Sequence, residues 1–180
     1  LLLLLLFFVI SLILLLLAVV TASAQDENAA PSKVDFGLGI GMDYGGFGGR
    51  LTFRPVPAIG IFGAGGYNLN DFGYNVGAMA RLSPGKKVVP TLGAMYGYNG
   101  VIVVEGASQY NRTYYGPSIS AGLEIHSRAP GKHWNIEIIV PFRSQAFTDD
   151  LNGLKNNPMI QLKSEPWPIA ISVGYHWALR

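Results

Sequence analysis

VDFGLGIGMDY, Val34 to Tyr44, alternates without a break. Val34, Phe36, Leu38, Ile40, Met42 and Tyr44 hold every second position, and Asp35, Gly37, Gly39, Gly41 and Asp43 fill the gaps. A strand sends successive side chains to opposite faces, so this stretch has one wholly apolar face and one of glycine and carboxylate. A soluble antiparallel sheet turns polar side chains to water on its second face. Bare glycine backbone instead suits a crowded interior such as the inside of a narrow barrel, with the apolar face turned outward into lipid.

The same pattern recurs along the chain. Gly45-Gly46 supplies a tight turn, and a second run sets Phe47, Leu51 and Phe53 against Gly48, Arg50, Thr52 and Arg54 before Pro55-Val56-Pro57 ends it. The third places Ile59, Ile61, Tyr67 and Leu69 opposite Gly60, Phe62, Ala64, Gly66 and Asn68; the fourth sets Phe72, Tyr74, Val76, Ala78, Ala80 and Leu82 against Gly73, Asn75, Gly77, Met79 and Arg81. The fifth, from Val88 to Asn99, leads into VIVVEGASQYNR, which reads as a protruding extension of the strands. The sixth covers Tyr115 to His126 and the seventh Trp134 to Arg143, leaving His133 in the turn beside Lys132. A long polar segment, Ser144 to Pro166, precedes the eighth run, Trp167 to Trp177.

Eight amphipathic runs of about ten residues match the length at which a tilted strand crosses a bilayer. The sequence therefore predicts an all-β fold: an eight-stranded antiparallel up-and-down transmembrane β-barrel over residues 34–177. The connections near Pro55, Ser83 and Ser127 are short, whereas the two longest, around residues 100–113 and 144–166, fall on the opposite rim. Short periplasmic turns and long external loops are the expected asymmetry, and it is independent of the alternation that defines the strands. Aromatic residues sort to strand ends in two girdles, as amphipathic rings at headgroup level do. Tyr44, Phe47, Tyr67, Phe72, Tyr98, Tyr115, Phe142 and Trp167 are expected at the outer rim, and Phe53, Trp134, Tyr175 and Trp177 at the inner one.

Residues 1–24 read as a secretory signal peptide, N-terminally incomplete because the chain starts at Leu1: an aliphatic run is followed by Thr21-Ala22-Ser23-Ala24 and then Gln25. A retained transmembrane helix is the alternative. A periplasmic leader, 25–33, would follow, with 178–180 as a C-terminal tail. The 13 basic and 11 acidic residues nearly cancel, which gives no footprint for nucleic acid, and the absence of cysteine excludes disulfides and thiolate metal sites. Charged residues are 13% of the chain, about half the usual ~25%, too few for an ordinary soluble domain of this size.

The eight runs, the glycine-rich inner face and the closing segment IAISVGYHW, Ile169 to Trp177, resemble the small outer-membrane barrels of the OmpA/OmpX type, especially the PorT-like "outer membrane protein beta-barrel domain" group. The resemblance covers Val34 to Trp177 and is one of pattern and layout. It implies a Gram-negative outer-membrane location, surrounding lipid, and biogenesis by the barrel-assembly machinery, which reads a terminal aromatic; Trp177 is in phase for that role.

The inward face carries Asp35, Arg50, Arg54, Arg81, Glu124, His126, Glu137 and His176, all but Arg50 expected in the periplasmic half. In a narrow lumen these charges should pair and form a polar plug, since an unpaired buried charge is strongly unfavourable. A gated pore or a proton-linked site at His126 and His176 is the sharper alternative. No Ser/His/Asp spacing or HExxH motif is present, so no catalytic, metal or cofactor residues are assigned. Ser144, Asp149 and Asp150 are the residues a lipid-modifying barrel enzyme would have available. The expected function is structural, or surface interaction with a protein or surface ligand through loops 99–113 and 144–166; a small-solute channel is the runner-up. Val101 to Val104 in the first of these loops reads either as packed strand extension or as an edge that captures a partner strand. A soluble lipocalin-like binder would need Gly, Asn and Ser facing water around a very large apolar interior.

Overall fold

The computed structural model describes residues 33–104, 108–156 and 167–179. The expected signal peptide, nearly all of the leader, parts of both long loops and Arg180 lie outside the described residues. Eight antiparallel strands run in sequence order: β1 (Val34–Gly41), β2 (Gly46–Val56), β3 (Ile59–Tyr67), β4 (Phe72–Arg81), β5 (Val88–Ile102), β6 (Arg112–His126), β7 (Lys132–Pro141) and β8 (Ala170–Leu179). Each pairs with its neighbour, and β1 also pairs with β8, so the sheet closes into a barrel without free edges. The seam is fixed by the register Val34↔Leu179, Phe36↔Trp177 and Ile40↔Val173. β8 thus includes Ala178 and Leu179, two residues beyond the expected strand end.

The phase read from the sequence is the phase of the barrel. Leu38 is 53% exposed, Ile40 62%, Phe72 63% and Ile171 63%, while Arg50, Asn75, Glu124 and Glu137 are buried. A continuous apolar exterior of this kind is far larger than the apolar patches that water-soluble monomers tolerate. Among the described residues no helix is long and apolar enough to cross a membrane.

The structure departs from expectation where β1 ends. The alternation continues through Met42 and Tyr44, but β1 stops at Gly41, and Met42–Tyr44 form one turn of 3-10 helix that folds into the lumen. Gly41 (φ 141°) and Gly45 (φ 71°) bracket it in backbone conformations that only glycine adopts readily. Tyr44 is consequently fully buried and does not belong to the outer girdle. Tyr98 leaves it as well: a bulge at Asn99 shifts the β5–β6 register, and Tyr98 packs half-buried against an interior cluster of Met42, Phe62, Met95 and Ile139. The remaining members face outward: Phe47, Tyr67, Phe72, Phe142 and Trp167 are exposed at one rim, Phe53 and Trp134 at the other. Tyr115 stacks on Tyr74, and Tyr175 makes edge contacts with both Trp134 and Trp177.

The polar segment after β7 also differs from an open loop. Gln145–Lys155 form a helix, α1, whose N-cap Ser144 accepts a bond from the Phe147 N–H. Phe147 and Leu154 pack against Ile102, Val104 and Tyr114, so the extension of β5 and β6 beyond the barrel is a small covered core. Of the two readings of Val101 to Val104, the structure takes the packed one for Ile102 and Val104.

Candidate functional site

Two polar clusters and one apolar layer fill the barrel. Near mid-height, the Arg50 guanidinium on β2 donates through Nη1 to Asp43 Oδ2 (2.7 Å) and Glu137 Oε1 (3.2 Å), and through Nη2 to Met79 Sδ (3.0 Å). Its Cζ lies 3.8 Å from the centre of the Phe62 ring, a cation–π contact inside the lumen. Asn135 Nδ2 donates to Glu137 Oε1 at 2.9 Å, and Ser172 Oγ donates to Asp43 Oδ1. Glu137 therefore groups with Arg50, whereas its sequence position places it with the charges near the short-turn rim. Both are central residues of their strands, and the lone guanidinium is the nearest cation to both carboxylates.

The Met42–Tyr44 turn crowns this cluster. It lies against β1, β2, β3, β4, β5 and β8, and Asn75 Nδ2 donates to the Met42 carbonyl at 2.5 Å. The Tyr44 ring rests on the paired glycines Gly39 and Gly174, where a Cβ on either would collide with the phenol. The glycine face that opens the chain thus has a specific occupant. Gly37 plays the same part for His176, its register partner across the seam.

The second cluster lies toward the short-turn rim and contains Asp35, Arg54, Arg81, Glu124, His126, His133 and His176. His176 Nδ1 is 2.6 Å from Asp35 Oδ1, and its Nε2 is 2.6 Å from Tyr44 Oη. In the neutral tautomer that donates to the carboxylate, Nε2 accepts the Tyr44 O–H. Arg54 Nη1 stands 2.8 Å from Asp35 Oδ2 and Nη2 3.7 Å from Glu124 Oε1. Arg81 donates to Glu124 through Nε at 2.8 Å and to the Pro57 carbonyl through Nη1 at 2.6 Å. His126 Nε2 is 3.5 Å from Glu124 Oε2.

His133 is the member that the strand pattern placed elsewhere. It is the second residue of β7, points inward and is buried, with its ring stacked between those of His126 (5.2 Å) and His176 (4.8 Å). Its signal was the phase of Asn135 and Glu137, extended one step back. Asp43 was visible on the inner face, but its pairing with Arg50 requires the turn.

Asp35, His133 and His176 bring three donor atoms within 4.8 Å of one another, the one such group among the described residues that could hold a metal ion. The cation already there is Arg54, 2.8 Å from the Asp35 carboxylate and 3.4 Å from His133 Nε2. A divalent ion would have to displace that guanidinium, and the Asp35–His176 bond as well, so the donor set fits a hydrogen-bonded ion pair better than a metal. The three residues noted in the last loop are engaged locally: Ser144 caps α1, Asp149 accepts from Gln145 Nε2 (2.9 Å), and Asp150 accepts from Tyr114 Oη (2.6 Å) and Arg112 Nη1 (2.9 Å). The two Asp150 contacts hold the helix to the β5–β6 extension.

No family model and no curated protein matches this chain. Among solved structures, the crystal structure of the N-terminal β-barrel domain of Pseudomonas aeruginosa OprF is similar to it, with a TM-score of 0.47 and 11% sequence identity over 82% of this chain and 98% of that one.

Proposed function

We propose that this chain is an outer-membrane β-barrel with a closed lumen, whose role is structural or lies in surface interaction through its long-loop rim. The observation that carries the proposal is the inversion of the fold: large apolar side chains cover the outside, while charges, glycines and the Met42–Tyr44 turn fill the inside. Such an exterior is suited to hydrocarbon. Arg50, bonded on both sides and stacked on Phe62, stands where a conducting path would have to run. The likeness to OmpA/OmpX-type barrels, and to the PorT-like group among them, rests on strand count, glycine-rich interior and loop asymmetry. Recognition by the assembly machinery and engagement of an external ligand belong to the same proposal, which assigns no catalytic step.

Two measurements test it. The folded chain in detergent should migrate faster unboiled than boiled and show a β-rich circular dichroism spectrum. In planar bilayers it should give no steady conductance. A helical spectrum, or a monomer soluble without detergent, would refute the membrane assignment. Steady openings that change on substitution of Arg50 or Glu137 would replace the closed lumen with a small-solute channel.

A further inference from the structure

The two rims differ in charge. On the long-loop rim Asp71, Asp149 and Asp150 are mixed with Arg112, Arg143 and Lys155. On the short-turn rim the described residues outside the lumen carry Lys33 before β1, Lys86 and Lys87 in the β4–β5 turn, Arg128 in the β6–β7 turn and Lys132 at the start of β7, with no Asp or Glu among them. Lys33, Lys86, Lys87 and Arg128 are exposed, and none of the five forms a salt bridge among the described residues. Among the described residues, the acids on the adjoining ends of the strands, Asp35 and Glu124, face the lumen and are committed to Arg54, Arg81 and His176. The cations are consecutive around the ring: the Lys87 carbonyl accepts the His126 N–H, Lys132 is the register partner of Trp177 on β8, and the Lys33 carbonyl accepts the Arg54 N–H.

Their depth is set by the strands. Lys87 directly precedes the exposed Val88, Lys33 directly precedes Val34, and Lys132 is two residues before Trp134. At roughly 3.3 Å per residue these positions stand one or two steps beyond the aromatic belt, the level of lipid phosphates. The cations are spread around an arc, and they do not converge on a groove.

We propose that this rim is a cationic collar that binds the phosphates of anionic phospholipid headgroups in the adjoining leaflet. The proposal rests on the membrane reading above. Because the cations are spread out, a lipid phosphate meets one of them at a time, and a basic residue next to an anionic surface gives on the order of a fivefold preference, which salt screens.

The chain has three tryptophans, and Trp134 and Trp177 lie beside the collar while Trp167 lies at the other rim. In the Trp167→Phe protein, reconstituted in phosphatidylcholine vesicles, fluorescence quenching by brominated phosphatidylglycerol is compared with quenching by brominated phosphatidylcholine. The expected result is a relative association about fivefold in favour of phosphatidylglycerol, falling toward one in about 0.5 M salt. It should also fall toward one when Lys86, Lys87, Arg128 and Lys132 are all changed to Gln. Should that variant misfold, the salt titration and Lys132→Gln alone decide. Equal quenching by the two lipids overturns the collar, as does binding of soluble polyglutamate without any lipid preference, which would assign the rim to an acidic polymer. No quenching by either lipid would mean that the membrane reading itself is wrong.

Discussion

Arg50→Met removes a buried cation while keeping much of its volume. Asp43 and Glu137 share that cation, at 2.7 and 3.2 Å, and all three side chains are almost wholly excluded from solvent. The substitution therefore leaves two carboxylates facing each other with no countercharge. Breaking a buried pair from one side costs about 3–5 kcal/mol, and the lost stacking on Phe62 adds about 1 kcal/mol. Urea unfolding of the barrel in detergent, followed by circular dichroism and by gel mobility without boiling, should show a loss of about 4 kcal/mol or more. Because most of this is the penalty of uncompensated charge, adding Asp43→Asn and Glu137→Gln to Arg50→Met should restore most of it, leaving a deficit below about 2 kcal/mol. A loss under about 1 kcal/mol for the single substitution, or a triple variant no better than the single, would show that the guanidinium is not what holds the mid-lumen cluster together.

Gly174→Ala places a methyl into the Tyr44 ring and should cost about 1–3 kcal/mol by the same unfolding assay, whereas Gly63→Ala, with open space at its Cβ, should stay within about 0.5 kcal/mol. Tyr44→Phe deletes the hydroxyl on His176 Nε2 and should cost about 1 kcal/mol, with no change in β content by circular dichroism. Phe147→Ala empties the small core under α1 and should expose the last loop to proteolysis while the heat-modifiable barrel persists; unfolding of the whole barrel would contradict a separate cap. The Tyr114 hydroxyl first, and Arg112 second, hold the Asp150 carboxyl below its ordinary range. Its lowered value means the tether is intact above the ordinary carboxylate range, about pH 4, and is lost as pH falls below it. Amide hydrogen exchange in α1, corrected for intrinsic rates, should accelerate at low pH in the native protein, and Asp150→Asn should abolish that dependence.

The strand count and the inward phase were legible because each run alternates for most of its length, so Arg50, Glu124, Glu137 and His176 could be assigned to a face before any partner was known. Met42 to Tyr44 could not, because the alternation simply continues there. What turns the chain inward is a pair of glycine conformations together with partners on β8, and Tyr44 reaches His176 across 132 residues. Tyr98 is hard to place for a related reason: it directly precedes the bulge at Asn99, where the regular alternation of β5 ends, and it packs on the interior cluster of Met42, Phe62, Met95 and Ile139. His133 is hard to read because it sits at a strand boundary, second in β7 and beside the more conspicuous Trp134. Helix α1 had a readable signal, Ser144 followed by Phe147, Leu151 and Leu154 at helical spacing, obscured by the surrounding Asp and Asn.

The Met42–Tyr44 turn also bears on the order of assembly. Its two side-chain partners across the seam, His176 and Ser172, both lie on β8, the last strand made, and the glycine floor beneath Tyr44 exists only once β1 and β8 are in register. Until the final strand docks, Tyr44 has no floor and Asp43 lacks its hydroxyl donor. Joining the ends of the sheet and expelling water from the lumen are thus expected to be a single event: the chain has no state that is shut and hollow, and a barrel halted one strand short would be open along its side and wet at its centre.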